Sequence, residues 1–335
     1  MPRRPESAES AARPTARHTT RFPAPGQGLA YLLFRTTPRD RWLLAMLAEH
    51  RVLTIAQAHA LCFASERRAT ARLRDLHQLA LTDRFRTNPL PGTGSSALRY
   101  VLGPTGALLV AASHDMTPKQ FRYDHAKLLR QAARADLPHT LACNSVMIGL
   151  TLAAAAAGTP IQAWWDQNAC LPMWGDLIRP DAYAALTHNT AGVEAGTGLF
   201  LEYDTGSEHL PQLTAKIDGY ARFAETYNAS HLILIHIPDP ARELALHARL
   251  SQDPRAAHLP IATTHGPVED TDARLIRHLG ARVYGPAWRP LGVDTRTALT
   301  ELPVYFRARD IRLLPPIYTD RAVTAPAPNP PLPSS

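Results

Sequence analysis

Cysteine, lysine and aromatic residues are scarce in this 335-residue chain, and each scarcity excludes something. The 3 cysteines, Cys62, Cys143 and Cys170, are far apart and form no C-x-x-C pair. A disulfide framework and a zinc ribbon are therefore excluded, and the expected compartment is the reducing cytoplasm. No apolar run reaches the ~20 residues that span a bilayer, the longest being 146–157, and the first thirty residues lack a signal-peptide core. No membrane partner is expected. G-x-G-x-x-G, Walker A and G-x-S-x-G patterns are absent, as is any histidine pair three or four residues apart. Dinucleotide binding, serine hydrolysis and an H-E-x-x-H metal helix drop out with them.

What the chain has instead is arginine, unevenly placed. Lysine occurs only at Lys119, Lys127 and Lys216, so arginine supplies nearly all the positive charge behind the net +7. The first 130 residues are net basic and the remainder net acidic. A polyanion-binding module joined to a different kind of domain explains that asymmetry.

The pattern divides the chain into a disordered basic arm (1–37), a helical and hairpin unit (38–103), a helical connector (104–136), an α/β domain (137–285), a C-terminal extension (286–321) and a disordered Pro-rich tail (322–335). Within 38–103, Leu43, Leu44 and Leu47 recur at helical spacing. Thr54-Ile-Ala-Gln57 is a capping box, and Ser65 can cap a third helix over 66–79. Two short strands, 82–86 and 98–102, flank a Pro/Gly/Ser turn over 88–96. Three helices and a hairpin make a winged helix-turn-helix. Wound at about 100° per residue, the third helix gathers Ala69, Leu73, Leu76 and Ala80 on one side. Arg67, Arg74 and Gln78 fall opposite, with Arg68 and Arg72 on the flank. Arginine suits guanine and phosphate, and glutamine suits adenine. Double-stranded DNA is the expected partner, with Arg84, Arg86 and Arg99 of the hairpin on its backbone. The competing reading is a solvated helix face in an Arg-rich protein.

After residue 136 the expected order is a helix (141–157), strands at 161–165, 177–183 and 199–204, a helix (210–227) and a strand (231–237). Helix 240–250, strand 259–263, helix 268–279 and strand 282–284 follow. The αβββαβ portion is the order of the PD-(D/E)XK nuclease-like fold. Asp181 lies on its second strand, and Glu202 and Asp204 on its third, where period two gives them one face. Asp181, Glu202 and Asp204 are the candidate Mg2+ ligands, and Lys216 the cation that would steady a phosphate. Asp166 and Glu208 are further acids nearby. His139 and Asn144 open the preceding helix and could reach the site, with capping or packing the favoured reading; Trp164-Trp165 could stack a base, with the core the favoured reading.

The segments IRPDAY, FLEYDTGSE and KIDGY, placed behind a winged helix, resemble the replication-relaxation family of actinobacterial plasmids and mobile elements. The resemblance covers most of 39–285, and E-x-D-x-G-[ST]-E is its most specific part. It implies a nuclease-like fold and a role in plasmid replication or transfer. Where the nuclease superfamily places its lysine, two residues after the second acid, this chain has Asp204; Lys216 is the candidate substitute. Two functions stay open: Mg2+-dependent DNA cleavage or nicking, and a catalytically inactive DNA-binding regulator that recruits a relaxase or replication protein.

Overall fold

The computed structural model describes residues 28–86, 97–132, 136–190, 193–206, 210–320 and 323–331. They form a mixed α/β structure with two sheets. The N-terminal part runs α1 (Leu29–Arg35), α2 (Pro38–His50), β1 (Leu53–Thr54), α3 (Ile55–Cys62), α4 (Glu66–Gln78), β2 (Thr82–Phe85) and β3 (Arg99–Leu102). Each helix start follows from its cap. The Thr37 hydroxyl and the Asp40 carboxylate satisfy each other's backbone amides at α2, as Thr54 and Gln57 do at α3. Ser65 accepts from Arg68 N at α4. The hairpin strands pair antiparallel, and β1 adds a third strand beside β3. The expected turn 88–96 lies outside the described residues.

Several expectations are corrected here. Helix α1 forms inside the segment read as a disordered arm, because Leu32 finds a buried place in the core. The connector carries α5 (Pro104–Ala112) and α6 (His125–Ala132); the pattern predicts a second helix over 119–135, but Arg122 adopts φ 57°, so helix begins only at His125. The Pro-rich tail is partly tied down. Trp42 Nε1 donates to Ala327 O (2.7 Å), and Asn329 Nδ2 to Ile161 O (2.8 Å).

The second sheet has six strands in the order β4-β5-β6-β7-β8-β9: β4 (Ile161–Asp166), β5 (Ala182–Thr190), β6 (Val193–Tyr203), β7 (Leu232–Ile237), β8 (Ile261–His265) and β9 (Arg289–Pro290). The first three are antiparallel, β6, β7 and β8 are parallel, and β9 is antiparallel. Alternation sends Trp164, Ala184, Leu201 and Leu234 to the face covered by α7 (Leu137–Ala156) and α11 (Ala273–Tyr284). Trp165, Tyr183, Phe200 and Ile233 go to the other face, under α8 (Gln167–Trp174), α9 (Leu210–Tyr227) and α10 (Pro240–Ser251). Helix α12 (Leu302–Arg307) closes the chain's helical part. By length and composition α7 could cross a membrane, yet 61% of its most apolar window is buried in this fold.

The second half brings corrections too. Helix α8 was not expected; Asp166 caps it through Ala169 N (2.9 Å), and Pro172 is accommodated inside. Residues 282–284 are the last turn of α11 rather than a strand, and the added edge strand is β9. The core is continuous between the halves, because α7 and α11 pack on α3 as well as on the sheet. Gln57 Nε2 donates to Leu141 O (2.8 Å) and Ser145 Oγ (3.0 Å), binding α3 to α7.

His50, at the end of α2, is 2% exposed and stacks on Trp164 at 3.8 Å. Burial, with the neighbouring Arg51 charge, pushes its pKa down to about 3, so it is neutral in the native protein. The unfolded chain takes up that proton below its ordinary value of about 6.5, so this contribution to stability is intact above pH 6.5 and lost as pH falls toward 3. Urea unfolding of His50→Phe beside wild type will show it. From pH 6.5 to pH 5 the balance should shift toward the variant by about 2 kcal/mol. A pH-independent difference would refute a buried neutral histidine.

Candidate functional site

Helix α7 presents His139 and Cys143, one turn apart on one face. Across from them is Asp181, immediately before β5 rather than on a strand as expected. Its N–H donates to Leu201 O (3.0 Å), and the neighbouring pair Ala182↔Leu201 sets Asp181 opposite Glu202. Asp181 Oδ2 accepts from Tyr203 N (2.8 Å) and lies 3.1 Å from His139 Nε2, which is also 3.0 Å from Tyr203 O. A ring nitrogen facing two acceptors carries the hydrogen. Cys143 Sγ is 3.8 and 3.9 Å from the two ring nitrogens.

The charges are strongly linked. Burial disfavours the His139 cation, but the hydrogen bond to Asp181 and the Cys143 sulfur outweigh it and raise its pKa to about 11. Burial likewise pushes Asp181 up, and the His139 hydrogen bond and charge, with Lys216 beyond, hold it below the usual carboxylate range. Glu202 is 2% exposed, with Oε2 accepting from Lys216 Nζ (2.6 Å) and Oε1 from Tyr220 OH (2.6 Å). Burial and the Asp181 charge push it up to about 7 against the pull of Lys216. Burial also pushes the Cys143 thiol up to about 11.

Asp204 does not join this group. Alternation does carry it to the face of Glu202, the one under α9 and α10, but one position past the end of β6 it meets α10 rather than α9. Its carboxylate is clasped by Arg242 of α10, Nη2 to Oδ1 at 3.1 Å and Nε to Oδ2, and it accepts Gly206 N (2.8 Å). Glu208 lies outside the residues whose side chains are described.

His139, Cys143, Asp181 and Lys216 line a cleft of about 650 Å³ together with His50 and Arg51. Both halves of the chain therefore line it. A larger cavity of about 1070 Å³ lies elsewhere, beneath α9, α10 and α12, and holds none of these groups.

The residues do not fit the expected three-carboxylate Mg2+ site. Each acid already has its own cation: Asp181 with His139, Glu202 with Lys216, Asp204 with Arg242. A Mg2+ site needs several oxygen donors with uncompensated charge around one point. Asp181, Glu202 and Lys216 lie near enough for their charges to act on one another, and Asp204 pairs with Arg242 instead. His139 takes the less favoured of its two readings and reaches the site through Asp181; its spacing to Cys143 at the head of a helix before the acidic strands was a further signal. Asn144 does pack, donating to Val52 O (2.9 Å), and Trp164 and Trp165 are buried as expected.

The predicted DNA-facing residues divide. Arg67, Arg68, Arg74 and Gln78 are exposed on α4, over buried Ala69, Leu73 and Leu76. Arg86 is exposed, whereas Arg84 and Arg99 are half-buried, Arg99 Nη1 donating to Ala97 O (2.8 Å). Arg72 folds back onto Asp40.

A family model described as replication-relaxation matches residues 44–232. No curated protein and no solved structure matches the chain.

Proposed function

The chain belongs to the replication-relaxation family, which suggests a role in plasmid or mobile-element replication, and from that premise we propose that it is a duplex-DNA-binding protein of replication or conjugative transfer. The observation that carries this reading is the outward face of α4. Arg67, Arg68, Arg74 and Gln78 stand free there in solvent, above a helix face wholly committed to the core. The α2-α3-α4 order followed by the β2–β3 hairpin supports a winged helix-turn-helix, in which such a helix enters the major groove and the hairpin follows the backbone.

For the second domain, the sheet order β4-β5-β6-β7 behind α7, antiparallel twice and then parallel, supports a PD-(D/E)XK-like fold. A fold does not bring its chemistry with it. The pairing of Asp181, Glu202 and Asp204 each with its own internal cation favours the non-catalytic alternative, in which this domain is a regulator or assembly platform for a relaxase or replication protein.

Two measurements test this. In duplex titrations at several salt concentrations, Arg67→Ala and Arg74→Ala should each weaken binding roughly tenfold or more, and lower the salt slope by about one where a phosphate contact is lost. Unchanged affinity and slope in both variants would refute docking through α4. In a nicking assay on supercoiled plasmid with Mg2+, no cleavage is expected. Cleavage that disappears in Asp181→Ala and Glu202→Ala would restore the nuclease reading.

A further inference from the structure

We propose that His139, Cys143 and Asp181 form a binding site for a thiophilic divalent metal ion of the Zn2+ class. One imidazole nitrogen, one sulfur and one carboxylate oxygen from these residues all lie within 4.8 Å of one another, so a single ion can reach all three. In tetrahedral zinc sites, with bonds of about 2.0 Å to nitrogen or oxygen and about 2.3 Å to sulfur, neighbouring donors stand roughly 3.2 to 4 Å apart. The separations here are 3.1 Å between His139 Nε2 and Asp181 Oδ2, and 3.9 Å between Cys143 Sγ and His139 Nε2. Side-chain adjustment alone brings the donors onto an ion.

The donor set decides the class of ion. Imidazole and thiolate favour zinc, cobalt and their neighbours, whereas Mg2+ prefers oxygen and surrenders its water reluctantly. Charge balances as well. Binding expels the hydrogen on Nε2 and the thiol hydrogen as two protons. The ion's two positive charges then meet one thiolate and one carboxylate, with a neutral imidazole between them. The fold also supplies what such a site requires around it. Tyr203 N holds Asp181 Oδ2 in place at 2.8 Å, while His139 and Cys143 share one turn of a helix buried against the sheet. All three ligands line the 650 Å³ cleft, giving the ion an entry path and leaving a coordination position open to water. Three protein ligands with one open position is the pattern of an accessible zinc site rather than a closed structural one.

This site is independent of DNA binding through α4, so either can fail without the other. The test uses Co2+ as a spectroscopic stand-in, titrated into the full-length chain after it has been reduced and stripped with a chelator. Wild type should bind one equivalent, with the near-ultraviolet thiolate-to-cobalt charge-transfer band and intense visible bands of a tetrahedral ion. Cys143→Ser, close in size to the native residue, should abolish the charge-transfer band and weaken binding at least roughly tenfold. Asp181→Asn and His139→Ala should remove the tetrahedral bands, while Cys62→Ser and Cys170→Ser should leave the spectrum intact. Circular dichroism verifies folding of each variant, and Zn2+ should raise the melting temperature of wild type but not of His139→Ala. No charge-transfer band in wild type overturns the proposal. So does a band that survives Cys143→Ser, or displacement of Co2+ by millimolar Mg2+.

Discussion

Gly280→Ala will destabilise the protein by about 3 kcal/mol, a large penalty for one methyl group. Helices α7 and α11 cross with their backbones in contact at Gly149 and Gly280. A Cβ on Gly280 would run into the carbonyl oxygen of Gly149 and stand 2.7 Å from its Cα. A Cβ on Gly149 would meet Ile276 O at 2.7 Å and Gly280 N at 2.8 Å. These obstacles are backbone atoms, not flexible side-chain ends, so relief requires moving a whole helix. Neither helix is free to move. Helix α7 also packs on the sheet and on α3, and α11 buries Ile276, Leu279 and Val283 in the same core. Moving them apart would disturb both halves of the chain, because α3 and the sheet share this layer. Urea unfolding of Gly280→Ala beside wild type measures the loss, and Gly149→Ala should behave alike. Since both substitutions strain one contact, the double variant should lose less than the sum of the two. A loss below about 1 kcal/mol would mean that the helices can separate without consequence.

That crossing illustrates what a single sequence conceals. Patterns of period two and 3.6 report which face of an element is buried, and the structure agrees with them at Leu73 and Leu76 beneath the arginines of α4, at strand β7, and at the capping box of Thr54 with Gln57. Such patterns say nothing about which cation meets which carboxylate. His139 and Asp181 are 42 positions apart and Asp204 and Arg242 are 38 apart, and their pairing is fixed by how α7 and α10 lie on the sheet. Asp204 shows this most sharply: alternation places it on the face of Glu202, yet the neighbouring helix α10 supplies a separate partner, Arg242. The convergence of Asp181 with Glu202 was legible because both sit at the same end of adjacent antiparallel strands, where register alone brings them together.

Arg72 is the residue whose expected role changes most, and Arg72→Ala should cost about 3 kcal/mol of stability. Its guanidinium grips Asp40, Nε to Oδ1 at 3.0 Å and Nη2 to Oδ2 at 2.7 Å, and Nη2 also donates to Arg35 O at 2.9 Å. Asp40 is wholly buried and caps α2 through Thr37, so removing Arg72 leaves a carboxylate under the core without its counter-ion. Burial pushes the Asp40 pKa up, but hydrogen bonds from Arg72 and Thr37 overcome it and hold the group below its ordinary value. A carboxyl with a depressed native pKa stabilises above its unfolded value of about 3.9, and that contribution is lost as pH falls through the native pKa. In the variant, burial goes unopposed by the guanidinium, so Asp40 should accept a proton at higher pH than in wild type. The stability gap should therefore be widest near neutrality and narrow on acidification, as urea unfolding at pH 7 and pH 4 would show. Duplex titration supplies the opposing test. If Arg72 serves the fold, the salt slope of Arg72→Ala at a temperature where it stays folded should equal that of wild type, whereas Arg74→Ala should lower it. Full stability combined with a reduced slope would return Arg72 to the DNA-binding face.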